Sequence, residues 1–381
     1  MILANLFTKL KAVHVATTRE EREAIYRFRY RIYVEELHRE LGGVDHERRM
    51  VTDAEDDKAY SHHFYAGSVD DIEGSVRLRV WGPGEMPPAF SKKLSMHLFG
   101  PAQARLRTCE VGRYMIDPKR RGALVLPSMA RRTYEFLAQE QAVDMSFCYC
   151  RPGLVDYYRR LGARPYGAEV FQESEGLEVP LVSVLSDHDY YKRVGSPMAA
   201  WVKNFFGPGK RAPVDTKDFA HLFDDDHQQI VTDRNTVWGE VSNALHAGPG
   251  DGKFLDGLPE ATLRELMKSG FLIDVPKGTL ITREGHMERE LYIVLKGEVE
   301  VFRGDETIAK LGPGDVFGEM AFFRYEGKRS ASVRAVCDSR IVTLRRKWID
   351  DLGRSNPDGA RAILFNLARV LADRAATAGV K

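Results

Sequence analysis

Cysteine is scarce and long apolar runs are missing. Only four cysteines occur in 381 residues, Cys109, Cys148, Cys150 and Cys337. The Cys148-Tyr149-Cys150 spacing fits neither a zinc knuckle nor a redox Cys-x-x-Cys pair, so packed, reduced thiols and no metal site are expected. No stretch approaches the roughly 18 apolar residues of a bilayer span. The first ten residues have no charged region before their short apolar run and no small-residue cleavage site after it, so a soluble, cytoplasmic chain is expected. An excess of one charge is lacking too. The 56 Lys and Arg stand against 55 Asp and Glu, a formal net charge of +1, which supplies no large field to gather nucleic acid.

What is present is a globular mixture, 43% hydrophobic and 29% charged, in a chain long enough for two domains at about 100–200 residues each. Up to Tyr191 the pattern mixes both periods. Ile25, Phe28, Ile32 and Leu37 recur near helical spacing, while residues 74–80 alternate as a strand. Residues 192–252 carry Gly207-Pro208-Gly209, Asp224-Asp225-Asp226 and Gly248-Pro249-Gly250, the punctuation of a linker with short helices. Its apolar group Trp201, Val202, Phe205 and Phe206 is expected to pack between domains, with a membrane surface as the other possible partner. From residue 253 to 381, a short helix precedes strands punctuated by Gly278, Gly285, Gly297, Gly304, Gly312, Gly314 and Gly318, a β-barrel signature. A last helix presents Ile363, Leu364, Leu367, Val370 and Leu371 on one face. No helix pair follows to form a helix-turn-helix, a second reason to expect no nucleic-acid partner.

The sharpest motif is Phe317-Gly318-Glu319-Met320-Ala321, followed by Arg329-Ser330-Ala331-Ser332-Val333-Arg334-Ala335. Glycine allows close backbone approach, a carboxylate can accept from a ribose hydroxyl, and an arginine fork can grip a phosphate bidentately. Over roughly Phe254 to Arg374 this resembles the cyclic-nucleotide-binding domain family, which includes the catabolite activator proteins. The resemblance implies a β-roll, that is, a jelly-roll barrel with flanking helices. It implies Glu319 on the 2′-hydroxyl and Arg329 with Ser330 on the cyclic phosphate. The backbone at Gly318 and Met320 would meet the ribose-phosphate edge, with Phe317, Ala321 and Ala331 completing the cassette and the terminal helix covering the base. cAMP is expected over cGMP, since nothing obvious specifies a guanine edge.

Four pieces of the first domain join into a second constellation: Arg29 with Tyr33, Asp53 with Asp56 or Asp57, Arg77, and Glu110-Val111-Gly112-Arg113. In that order they resemble the acyl-homoserine lactone synthases and the long-chain N-acyl amino acid synthases of the GNAT superfamily, over roughly Arg19 to Tyr166. The resemblance implies a mixed sheet flanked by helices over residues 1–191, hence an α+β two-domain chain, and an acceptor site built from Arg29, Tyr33, Asp53, Asp56 and Arg77. Arg39 stands near a position where these families often keep a tryptophan. Arg120, Arg121 and Gly122 precede a helical pattern and would hold the phosphate of an acyl-coenzyme A or of a carrier-protein arm; a solvated basic turn is the alternative. Tyr158 matches the tyrosine of the GNAT stretch that ends at Leu161-Gly162.

Acyl transfer from a thioester to an amine needs a deprotonated amine, a polarised carbonyl and a proton for the leaving thiolate. Glu110 is expected as base, a strand N–H near Arg113 as polarising donor and Tyr158 as acid. The competing reading makes Glu110 and Arg113 a structural ion pair. Joined, the two halves imply an N-acyltransferase regulated by a cyclic nucleotide, with an acyl-carrier or acyl-coenzyme A donor and a small amine acceptor. A protein lysine acetyltransferase and a non-catalytic acyl sensor are the alternatives.

Overall fold

The computed structural model describes residues 11–121, 124–167, 171–173, 176–223, 239, 254–323 and 327–378. The chain divides into two units. One comprises Met1–Cys150, Asp156–Glu169 and Pro180–Asp224; the other comprises Arg151–Val155, Val170–Val179 and Asp225–Lys381. Residues 192–223, read from the sequence as linker, thus fall within the first unit. Val202 and Phe206 are buried there in the same cluster as Val76, Leu78 and Cys109, with Trp201 and Phe205 packed against it. Of the remaining linker, 224–252, only 239 lies within the described residues.

The first unit is laid out on strands β1 (Val13–Val15), β4 (Ser61–Gly67), β5 (Ile72–Trp81), β6 (Thr108–Ile116) and β7 (Met145–Cys150), neighbours in that order in one sheet; β8 (Phe171–Glu173), paired antiparallel with the start of β9 (Gly176–Val184), falls in the second unit. A separate two-stranded ladder pairs β2 (Val44–Asp45) with β3 (Met50–Val51). Neighbours from β1 to β6 run antiparallel, while β6 and β7 run parallel. Helix α1 (Arg19–Tyr30) starts at a capping box. The Thr18 hydroxyl accepts from the Glu21 N–H at 3.2 Å, and the Glu21 carboxylate accepts from the Thr18 N–H at 2.8 Å, which satisfies two otherwise orphaned donors. Ile25 and Phe28 lie on its buried face, and Ile32 continues that face in the π-helical segment Arg31–Glu36 that follows. Four further helices complete the elements used below: α2 (Pro88–Lys93), α3 (Val125–Glu135), α4 (Val155–Arg160) and α5 (His188–Arg193).

β5 departs from the usual reading of its pattern. Alternation normally means one dry and one wet face, yet every residue of β5 is buried. Val76, Leu78 and Val80 join the core cluster. Ser75, Arg77 and Arg79 are buried on the other face, where the two arginines meet acids.

In the second unit, helix α6 (Glu260–Ser269) precedes two four-stranded antiparallel sheets. One has the order β10 (Phe271–Val275), β17 (Ser339–Arg345), β12 (Glu290–Lys296), β15 (Val316–Phe317). The other has β11 (Leu280–Thr282), β16 (Ser332–Ala335), β13 (Val299–Arg303), β14 (Glu306–Leu311). β12 is buried on both faces. Tyr292 and Val294 pack with Val299, Leu311 and Val333 of the second sheet, and Leu291, Ile293 and Leu295 pack with Leu266, Trp348, Ile363 and Leu367. The last three lie on or beside helices α8 (Arg346–Ser355) and α9 (Pro357–Ala378). A short helix, α7 (Glu319–Phe323), follows β15. The expected apolar stripe of α9 forms at Ile363, Leu367 and Val370, whereas Leu364 faces outward.

Candidate functional site

Two sites emerge, one in each unit. In the first, β5 and β6 supply a row of charges. His63 of β4 lies opposite Arg77 in the ladder. Arg77 Nη1 donates to Asp53 Oδ1 at 2.7 Å and to Asp56 Oδ1 at 2.6 Å. Arg29 Nη1 donates to Asp56 Oδ2 at 2.7 Å, and Arg29 Nη2 lies 3.2 Å from His63 Nδ1. Arg113 Nη2 donates to Asp53 Oδ2 at 3.0 Å. The structure therefore unites Arg29, Asp53, Asp56, Arg77 and Arg113 in one network.

Exposure grades that network. Arg29, Asp56 and Arg77 side chains are 1–2% exposed, against 27% for Asp53 and 19% for Arg113. Burial favours the neutral form of Asp53, but Arg77 and then Arg113 outweigh it and hold the carboxyl well below the usual range. For His63, burial and then the Arg29 charge act together, and its pKa is pushed down to about 4. A neutral ring with Nε2–H donating to the Asp56 carbonyl at 2.9 Å leaves Nδ1 to accept from Arg29. Tyr33 sits between Arg39 and Arg113, whose guanidinium carbons are 5.3 and 5.2 Å from its ring centroid. An arginine thus covers the ring where the related families often place tryptophan.

Glu110 contacts Arg79, while Arg113 contacts Asp53. Arg113 lies in a β-bulge of β6, where the register with β5 shifts between Ser75 and Arg77, and its φ of +54° re-aims the side chain toward Asp53. Glu110 is wholly buried and contacts Arg79, with Nε 2.9 Å from Oε2. That contact lacks hydrogen-bond alignment, so the buried Oε2 keeps a lone pair without a hydrogen-bond donor. Gly112 makes the room: a Cβ there would lie 2.7 Å from Glu110 Oε1. The parallel ladder between β6 and β7 runs only from Thr108–Met145 to Glu110–Phe147, although β6 continues to Ile116 and β7 to Cys150. Beyond Glu110 the edge of β6 at Val111–Arg113 is not laddered to β7.

The remaining expected residues are less concentrated. Tyr158 is half-buried on α4, its ring edge-on to Tyr157 at 6.3 Å. Arg120 lies 3.6 Å from Asp71 and 3.4 Å from Glu73, and Arg121 lies 2.6 Å from Glu36. Gly122 lies outside the described residues. Among the described residues, no group of three or more His, Cys, Asp or Glu is placed to hold a metal ion, and no helix is long and apolar enough to cross a membrane.

In the second unit Gly318 has φ +86°, and a Cβ there would meet Arg329 Nη1 at 2.3 Å. The glycine is therefore required both by backbone conformation and by the arginine. Arg329 is buried, with Nη1 donating to the Gly318 carbonyl at 3.1 Å, Nη2 to the Glu290 carbonyl at 2.8 Å and Nε to Glu288 at 3.2 Å. Its guanidinium carbon lies 5.4 Å from the Tyr292 ring centroid, and that ring stacks on Phe317 at 4.9 Å. Glu319 Oε1 meets Arg374 Nη1 of α9 at 2.6 Å, so the terminal helix reaches the cassette through an ion pair. The Ser330 carbonyl accepts from Arg303. Ala321 is buried, Ala331 half-buried and Met320 exposed. A carboxylate, an arginine fork and a side-chain-free backbone thus converge, a set of groups that fits a ribose-phosphate.

The sequence reading gave no site role to Arg79, His63, Glu288 or Arg374. Arg79 carried a signal, standing two residues beyond Arg77 on the same strand face. The other three owe their roles to tertiary placement.

Residues 24–187 match the family model described as N-acyl amino acid synthase FeeM, and residues 272–356 match the cyclic nucleotide-binding domain. The chain is similar to the Pycsar effector protein BcPycTIR of Burkholderia cepacia, 29% identical over 36% of this chain and 45% of that protein. It is similar also to the cyclic AMP receptor protein of Thermus thermophilus, 41% identical over 26% of this chain and 46% of that protein. The chain spans less than half the length of either relative.

Proposed function

We propose that this chain, in which an N-acyl amino acid synthase domain is joined to a cyclic nucleotide-binding domain, transfers an acyl group from a thioester to a small amine under control of a cyclic nucleotide. The observation that carries the reading is Glu110. It is a buried carboxylate with an open lone pair, beside the stretch of β6 that is free of β7. There it can take the proton of an attacking amine, directly or through one water, while an N–H of Val111–Arg113 polarises the thioester carbonyl. Arg79 orients the carboxylate. Tyr158 returns a proton to the leaving thiolate. Direct attack of the amine needs no covalent enzyme intermediate.

Acceptor recognition divides by exposure. Arg29, Asp56, Arg77 and His63 are bound to one another and to Asp53 and act as the scaffold. Asp53 and Arg113 form the accessible edge beside Tyr33, and they complement the ammonium and carboxylate of an amino acid. The donor is a long-chain acyl group on a carrier protein or on coenzyme A, whose phosphate Arg120, Arg121 and Gly122 would hold. Since Asp71, Glu73 and Glu36 neighbour the two arginines, the phosphate must compete with exposed ion pairs, each worth only about 0–1 kcal/mol. In the second unit Glu319 and Arg329 with Ser330 hold ribose and cyclic phosphate, with cAMP the favoured effector.

The test is mass-spectrometric product detection with acyl-carrier and acyl-coenzyme A donors, pooled amino acids and a lysine-bearing protein, with and without cAMP. An N-acyl amino acid whose yield changes with cAMP and falls in Glu110→Gln is expected. Acylated protein instead would make the chain a lysine acyltransferase. No product from protein that binds cAMP would make it a sensor, and full turnover of Glu110→Gln at every pH would remove Glu110 as base.

A further inference from the structure

The second unit includes a stretch from the middle of the chain, Arg151–Val155. It starts directly after the last residue of β7 and ends on the first residue of α4. Within that unit Arg151 lies against the start of β12. Its Nη1 donates to the Met287 carbonyl at 3.0 Å and stands 3.7 Å from Glu288 Oε1. The other oxygen of that carboxylate accepts from Arg329 Nε at 3.2 Å. One carboxylate, 3% exposed, therefore lies between two guanidiniums, of which Arg329 is 2% and Arg151 14% exposed. Gly153 extends the contact, since a Cβ there would sit 2.6 Å from Glu290 Oε1. The backbone carbonyl of the same Glu290 accepts from Arg329.

A guanidinium has five N–H donors in one plane, and all three nitrogens of Arg329 already face oxygen acceptors of Glu288, Gly318 and Glu290. A bidentate grip on a phosphate claims two of those donors. The acceptor most strongly opposed by an incoming anion is the like-charged Glu288. A buried carboxylate that loses one cation needs another. Arg151 is within reach, and its 3.7 Å separation from Glu288 is longer than a hydrogen bond, so it can still tighten.

We propose that Arg151 reads the nucleotide cassette. Phosphate at Arg329 hands Glu288 over to Arg151, and the pull on Arg151–Val155 repositions α4 and with it Tyr158. Arg151 is a positioning residue, acting on the acyl-transfer site through the chain that leads from it. The proposal rests on the regulated-acyltransferase reading, of which it supplies the mechanism of control.

The experiment is hydrogen exchange of the full chain with and without saturating cAMP, cGMP, cCMP or cUMP, alongside calorimetric nucleotide affinity, for wild type, Arg151→Ala and Arg151→Lys. In wild type, exchange over Met145–Arg160 slows about fivefold or more on binding, the low end of common coupling strengths. In Arg151→Ala that response disappears and nucleotide affinity falls only by the lost coupling, about fivefold; Arg151→Lys, which keeps the charge, restores part of both. Unchanged exchange over Met145–Arg160 in wild type with bound nucleotide overturns the proposal, as does a full response in Arg151→Ala. A loss of nucleotide affinity in Arg151→Ala far beyond that coupling, about a hundredfold or more, would make Arg151 a ligand rather than a reader, which also overturns it. If none of the four nucleotides binds wild type, the cyclic-nucleotide reading fails and the proposal with it. An intact exchange response without acyl product from any donor defeats the enzyme reading alone.

Discussion

A histidine held neutral among arginines ties the acceptor scaffold to pH. His63 ordinarily titrates near 6.5, and burial beside Arg29 lowers it to about 4. Between those values the unfolded chain binds the extra proton and the folded one does not, so stability rises with pH across that window. The contribution is fully present above about 6.5 and is lost as pH falls toward 4. The melting temperature of the first unit should therefore fall over this range. In His63→Gln, which keeps a donor and an acceptor without titrating, that part of the slope should vanish; an unchanged slope would show that His63 is already charged in the fold. The residue scale is also where the sequence was most legible. Arg29, Asp53, Asp56, Arg77 and Arg113 were named from their types and order, and they form one network. The Glu110 partner was not legible, because the bulge that swings Arg113 away arises from the pairing of β6 with β5, which a Glu-x-x-Arg spacing does not encode.

At the scale of elements, β6 carries the chemistry, and its glycine is the weak point to probe. Gly112→Ala places a methyl 2.7 Å from Glu110 Oε1, which must push the carboxylate off Arg79. Because the clash is with a side chain and the glycine does not have a positive φ, the strand should still form. Steady-state kinetics should then show a loss of about 10²-fold in turnover, the usual cost of misplacing a reacting group by about 1 Å, with melting nearly unchanged. Full turnover would mean that Glu110 has room the structure does not indicate. The strand periodicity of residues 74–80 was visible in the sequence, but its burial was not. Two arginines on one face of a strand read as a wet face until the acids that cover them are brought in by Asp53, Asp56 and Glu110, from other parts of the chain.

For the whole molecule, nucleotide binding and stability are linked. A ligand that binds only the folded state stabilises it by RT ln(1 + [L]/Kd), about 2.7 kcal/mol at a hundredfold excess over Kd. Calorimetric melting should show that gain in the unit built on residues 225–381, and Arg329→Ala, which removes three donor nitrogens from the cassette, should abolish it. An equal gain in Arg329→Ala would detach nucleotide binding from this arginine. The order of the two halves and the barrel class were plain from glycine punctuation and motif order. The boundary was not, since Trp201, Val202, Phe205 and Phe206 look like an interdomain patch by composition and become core only when packed against Val76 and Leu78.

The stretch Arg151–Val155 also bears on how the protein is made. Arg151 and its acceptor Met287 are 136 residues apart, and at about 5–20 residues per second of synthesis that separation lasts roughly 7 to 27 s. For that interval the nascent chain holds β7 and the start of α4 while Met287 and Glu288 have yet to be made, so this contact closes well after β7 itself has been synthesised.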